Sequence, residues 1–117
     1  MDLTLDAERE AIRDSIREFL AGRLPLERVR RLADDPRGVD DVAWREAAEL
    51  GWFGLGLPEA AGGAGYGLPE EMILAIELGR TLAPGPWLGT LLAAHALGAA
   101  AGDVLAGRRR VALVDDP

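Results

Sequence analysis

The sequence predicts an all-α fold of about five to six helices. Apolar residues recur at helical spacing along most of the chain. Glycine and proline sit where helices should stop: Gly22 and Pro25, Gly51, and the run Pro84-Gly85-Pro86. Only Arg109-Arg110-Val111-Ala112-Leu113-Val114 carries a strand signal.

Taken in order, Thr4 reads as the first N-cap, with Asp6 and Glu8 in the first turn against the helix dipole. Ile12, Ile16, Phe19 and Leu20 then form one face. Arg9, Arg13 and Arg17 alternate with Glu10, Asp14 and Glu18, as on a solvated face. A short helix is expected over 26–33, closed by Asp34, Asp35, Pro36 and Gly38. Asp40 or Asp41 caps a third helix running through Trp44, Ala47 and Ala48 to Leu50.

Residues 50–68 hold seven of the 15 glycines. Such density means a backbone that turns sharply or passes close to something. A tight connection between helices is the plainer reading, and a loop framing a pocket is the other. Pro69 then opens a fourth helix, with Glu70 and Glu71 in its first turn. Met72, Ile73, Ile76 and Gly79 make one face, widened by Leu74 and Leu78. Residues 87–101 carry no charge and are apolar on every side, the pattern of a buried helix. That run falls short of the roughly 20 residues a membrane span needs.

The strand signal at 109–114 has no partner in this sequence, and a lone strand leaves its backbone groups unpaired. It pairs with another molecule or opens a second, β-rich domain, and truncation inside such a domain is the favoured expectation. The expected division is a helical domain over 1–107 and the start of a β domain over 108–117.

Composition narrows the function. With 117 residues and 49% hydrophobic content the chain can bury one core. Its net charge is −7, and all 13 basic residues are arginine, so nucleic acid and anionic membranes are poor partners. The absence of cysteine excludes disulfide and thiolate chemistry. Met1-Asp2-Leu3-Thr4 is no signal peptide, which favours the cytoplasm.

Catalytic motifs are scarce. No lysine is present for a phosphate loop, and Gly54-x-Gly56-x-x-Glu59 breaks the dinucleotide pattern at its last position. His95 is the only histidine, too little for a metal site or a serine triad, and it reads as a core or interface residue. Glu59 reads as a structural carboxylate; a general base would need a dry pocket around it.

Four segments in this order, 3–20, 44–52, 55–67 and 77–82, resemble the N-terminal helical domain of the acyl-CoA dehydrogenases. The most specific feature joins Trp44 and Leu50-Gly51 to Pro58-Glu59-x-x-Gly62-Gly63-x-Gly65. Residues 83–91 are similar to the branch acting on bulky acyl groups, steroid side chains included. The resemblance implies a complete enzyme with a helical N-domain, a middle β-barrel and a C-terminal helical bundle. Residues 109–114 would be the first strand of that barrel.

It further implies FAD as cofactor, an acyl-CoA substrate losing hydrogens from Cα and Cβ, and an electron-transferring flavoprotein as acceptor. The glutamate base and the main FAD-binding segments would lie beyond Pro117, so no catalytic residue is assigned here. What the N-domain implies is one wall of the acyl pocket, with Trp87, Thr90, Leu91 and Ala94 as substrate-binding positions. Gly89, Ala93 and Ala94 would leave room for a bulky tail. A homo- or hetero-oligomer is expected. The alternatives are a subunit of a heteromeric dehydrogenase and a free-standing helical interaction module.

Overall fold

A computed structural model describes residues 6–112. They form α1 (Ala7–Arg23), α2 (Leu26–Ala33), α3 (Asp41–Glu49), α4 (Leu68–Arg80), α5 (Trp87–Leu97) and α6 (Gly102–Leu105), with 3-10 turns at Trp52–Gly54, Glu59–Ala61 and Gly98–Ala100. The all-α reading holds. Among the described residues no helix is long and apolar enough to cross a membrane.

Caps fix the helix ends. Asp6, not Thr4, caps α1: its carboxylate accepts from the Arg9 amide at 2.9 Å. Thr4 lies outside the described residues. Asp40 caps α3, accepting from the Ala43 amide at 2.9 Å, and Gly51 ends it with φ +84°. Burial pushes the Asp40 carboxyl up, but the Ala43 amide and the Arg28 guanidinium outweigh it and hold the group below its ordinary value. Glu70 accepts from the Gly67 amide at 3.1 Å and so closes the start of α4.

The core joins one face of each long helix to an aromatic cluster. Ile16 and Leu20 of α1 face Ile73, Leu74 and Leu78 of α4. Trp44 of α3 contacts Phe53 at 4.8 Å and Trp87 of α5 at 4.3 Å between ring centroids. Each such buried side chain is worth about 1.5–3 kcal/mol over leaving it in water.

Two faces differ from expectation. In α4 the core side is Ile73, Leu74, Glu77 and Leu78, while Ile76 and Gly79 are exposed. Glu77 is buried on this side beside Ile73, Leu74 and Leu78, where it pairs with Arg17 of α1 at 2.6 Å and, within its own helix, with Arg80 at 3.5 Å. The apolar run 87–101 breaks at Gly98 (φ +53°) and is not buried all round: Leu88, Leu92 and Leu97 are exposed.

The glycine-rich stretch folds back on itself. The amides of Ala64, Gly65 and Tyr66 donate to the carbonyls of Gly54, Leu57 and Leu55 at 2.9, 2.9 and 3.2 Å. This pairing brings Gly63 so close that a Cβ there would lie 2.2 Å from the Leu57 carbonyl oxygen. Leu105 of α6 packs on the same turn, beside Gly54 and Gly62. The glycines therefore serve close backbone approach, as the plainer reading expected.

No strand forms over 109–112; residues 113 and 114 of the expected strand lie outside the described residues. This segment is strapped to the helices instead. The Thr90 hydroxyl donates to the Val111 carbonyl at 3.1 Å and accepts from its amide at 3.0 Å, which satisfies both backbone groups as a neighbouring strand would. Arg110 binds Asp41 at 2.6 Å and lies over the Trp44 ring, 5.0 Å from its centroid.

Three substitutions test this account. Asp40→Ala should cost about 1 kcal/mol at pH 7 in a urea melt. Because the folded carboxyl titrates below its unfolded value, this contribution is complete above about pH 4 and fades as pH falls through the folded value. Equal losses at pH 7 and pH 3 would contradict it. Gly63→Ala should lower stability by about 2 kcal/mol or more, since its Cβ meets backbone that cannot move aside. Thr90→Val keeps the volume but orphans both Val111 groups, and should cost about 1–3 kcal/mol in the same measurement.

Candidate functional site

The last turn of α4, the connection 81–86 and the first turns of α5 enclose a cleft of about 300 Å³. Helix α4 contributes Ala75, Leu78 and Gly79; the connection contributes Leu82, Ala83 and Gly85; α5 contributes Trp87, Leu88 and Leu91. Every one of these side chains is apolar, so the cleft suits a hydrocarbon group and offers no side-chain partner to a charged one.

Local chemistry shapes this turn. The Thr81 hydroxyl bonds back to the Glu77 and Leu78 carbonyls at 3.1 and 3.2 Å. The Ala83 amide reaches the Leu78 carbonyl at 3.1 Å, and this closure sets Leu82 at φ +54°. Leu82 is the one non-glycine residue with positive φ among the described residues. Gly85, at φ +121°, lets the chain pass close to Val39 and the ring of Trp44. Pro86 then leads into α5, where the Trp87 Nε1 donates to the Pro84 carbonyl at 3.0 Å. With its N–H satisfied, the Trp87 ring presents an apolar surface to the cleft.

The four expected substrate positions divide. Trp87 and Leu91 line the cleft, although each is largely covered by the chain's own core. Thr90 and Ala94 do not line it: both are wholly buried, Thr90 holding Val111 and Ala94 packed within the core. They lie on the face that α5 turns toward the helical core. A larger residue at Ala94 would therefore press on that core before it met a ligand. Gly89 is also buried. The small residues that do line the cleft are Ala75, Gly79, Ala83 and Gly85, three of them on α4 and the start of the connection.

Other candidates resolve differently. His95 is exposed, with Nε2 2.7 Å from a Glu71 carboxylate oxygen, so of the core or interface placement expected for it the core half is corrected. Glu71 itself lies against Gly56, where a Cβ would come within 2.7 Å of it. Glu59 is exposed beside Gly65, away from any dry pocket. Between α1 and α4 a second cleft, about 240 Å³, is lined by Arg9, Arg13, Arg17 and Arg80 over Met72 and Ile76. Its cations are already engaged: Arg9 with Glu70, Arg13 with Asp14, Arg17 and Arg80 with Glu77. Among the described residues no group of three or more acidic or histidine side chains could hold a metal.

Residues 6–104 match the family described as acyl-CoA dehydrogenase, N-terminal domain. The acyl-CoA dehydrogenase IpdE2 of Mycobacterium tuberculosis is 40% identical over 100 residues, which is 85% of this chain and 31% of that protein. Among solved structures, the Tcur3481-Tcur3483 steroid ACAD G363A variant superposes with a TM-score of 0.78 at 36% identity, over 92% of this chain and 32% of that one. The ChsE4-ChsE5 complex from Mycobacterium tuberculosis shares the fold, with a TM-score of 0.78 at 24% identity, over 94% of this chain and 33% of that one. The chain thus spans about a third of the length of these relatives. The match runs from the cap of α1 into α6, and on it the chain belongs to the acyl-CoA dehydrogenase N-terminal domain family.

Proposed function

We propose that this chain forms the helical wall of the acyl pocket in an FAD-dependent acyl-CoA dehydrogenase. The observation that carries the reading is the apolar cleft between α4 and α5, in a chain of this family. Trp87, Leu88 and Leu91 face the acyl tail, and Thr90 and Ala94 hold α5 against the helices behind it. The chain's share of the chemistry is to exclude water and fix the tail, so that Cα and Cβ of the thioester present themselves to groups supplied elsewhere.

A flavin needs hydrogen-bond partners for its ring edge and diphosphate. The apolar lining of the cleft fits neither, so flavin contacts and the proton-abstracting glutamate belong to the remainder of the complete protein. In the complete enzyme an electron-transferring flavoprotein would be the acceptor. The steroid designation of the similar solved protein supports a bulky, ring-bearing acyl group. Its double designation, Tcur3481-Tcur3483, supports a second reading in which this chain is part of one subunit of a heteromeric enzyme.

Leu88→Asp in the complete protein tests the pocket. Leu88 is 55% exposed in this chain, so the helical core should tolerate the change. A carboxylate on the wall should lower kcat/KM for acyl-CoA substrates by about tenfold or more. An unchanged kcat/KM would remove the cleft from the acyl path.

A further inference from the structure

The last turn of α4 departs from local preference at two positions three residues apart. Gly79 lies within the helix, and a Cβ built on it would meet nothing within 4 Å. Alanine would fit there and would favour the helix, so no crowding inside this chain calls for glycine. Leu82 is the reverse case. Its φ of +54° is a conformation that glycine adopts freely and leucine does not, and at 69% exposure its side chain adds little to the core. Helix and turn would each be more stable with the residues changed to alanine and glycine respectively. Both residues line the α4/α5 cleft. Departures that stabilise nothing nearby collect where a ligand is handled.

We propose that Gly79 and Leu82 are specificity-determining residues of this cleft, selecting an acyl group with a wide, ring-bearing portion over a narrow straight chain. The proposal rests on the acyl-pocket reading. Missing side-chain volume at Gly79 leaves a hollow in the α4 wall, where a ring can sit and a leucine would stand instead. Leu82 stands at the rim, held outward by its strained backbone. Trp87 and Leu91, nearly covered, form the floor, and the exposed Leu82 stands away from it, so on this proposal a wide group meets both and a narrow chain along the floor meets only the first. The hollow and the rim contact therefore both favour width. They also make the turn less stable than its sequence could allow, which is the usual cost of a shaped site.

The test uses the complete protein with Gly79→Ala, Gly79→Leu and Leu82→Gly. Thermal midpoints are read together with kcat/KM for octanoyl-CoA and for a polycyclic acyl-CoA. Gly79→Ala and Leu82→Gly should each raise the midpoint by about 1–3 °C. Gly79→Leu should cut the ratio of polycyclic to straight-chain kcat/KM by about tenfold or more, and Leu82→Gly should cut it by about threefold or more. Ratios within about twofold of wild type for both Gly79→Leu and Leu82→Gly overturn the proposal. Midpoints that fall in both Gly79→Ala and Leu82→Gly overturn it as well, because the native residues would then be serving stability. Leu88→Asp separates the two failures. If it lowers kcat/KM while the ratios stay fixed, this proposal fails and the pocket reading stands; if it too is silent, the pocket reading fails.

Discussion

The contact between Trp44 and Trp87 holds this structure together. At 4.3 Å between centroids it ties α3 to the first residue of α5, and Phe53 joins both rings from the turn after α3. Phe19 reaches the cluster through Trp52 at 4.9 Å, which brings in α1. Ring pairs of this kind add about 0.5–1.5 kcal/mol each beyond the area they bury. Two debits are visible among the described residues: Trp44 Nε1 and, on the guanidinium over its ring, Arg110 Nε are buried without a hydrogen-bond partner. Such a group costs about 1–3 kcal/mol, less than the cluster returns. The cleft inherits its position from this cluster. Trp87 is at once the plug of the core and the floor of the cleft, so the wall cannot move without disturbing the core.

Charge works in the opposite direction, by pairing rather than attracting. An acidic chain with arginine as its only strong cation could have gathered those arginines into a binding face. It uses them to bind helices to each other. Arg17 meets Glu77 across α1 and α4, Arg28 meets Asp40 across α2 and the α3 cap, and Arg110 meets Asp41 at the outgoing strap. The Arg110 hydrogen bond is the chief reason the Asp41 carboxyl is held below its ordinary range, with Arg37 adding to it. The Glu77 hydrogen bond likewise raises the Arg17 guanidinium. A guanidinium satisfies a half-buried carboxylate through a fixed fork of donors, which suits helix-to-helix clamps better than a flexible ammonium would. None of these arginines lines the cleft between α4 and α5, whose lining carries no charged side chain.

Much of this was legible in the sequence because local rules decide it. Asp40, Gly51 and Pro69 mark their helix ends by capping chemistry alone, and the α2 bounds follow from Pro25 and the Asp34-Asp35-Pro36 turn. The glycine loop was readable as close approach, though only the fold shows that Gly63 is the position that admits no side chain. What local rules could not reveal was orientation. Helix α4 has apolar residues on more than one face, and the one that turns inward is the one packed on α1, sixty residues away, where Arg17 meets Glu77. The core alternative for His95 failed for the same reason: a helix apolar all round gives no hint of which side meets the core. The strand signal at 109–112 is a related case, since Val and Arg there suit extended chain, and Thr90 rather than a strand supplies the pairing.

That ambiguity is itself informative about α5. A helix needs one apolar stripe to join a core, and α5 has that stripe in Trp87, Thr90, Leu91 and Ala94. Leu88 and Leu92 lie on the opposite side, about half exposed. Covering each of them is worth roughly 1 kcal/mol, too little to fold the chain but enough to bias what lies against it. A helix that served the core alone would carry polar residues at those positions at no loss of stability. One of these apolar faces meets this chain's own core, and the other, at Leu88 and Leu92, is the face the proposed function assigns to a wall. The sequence feature that made α5 hard to orient is thus the same feature on which its proposed role as a wall rests.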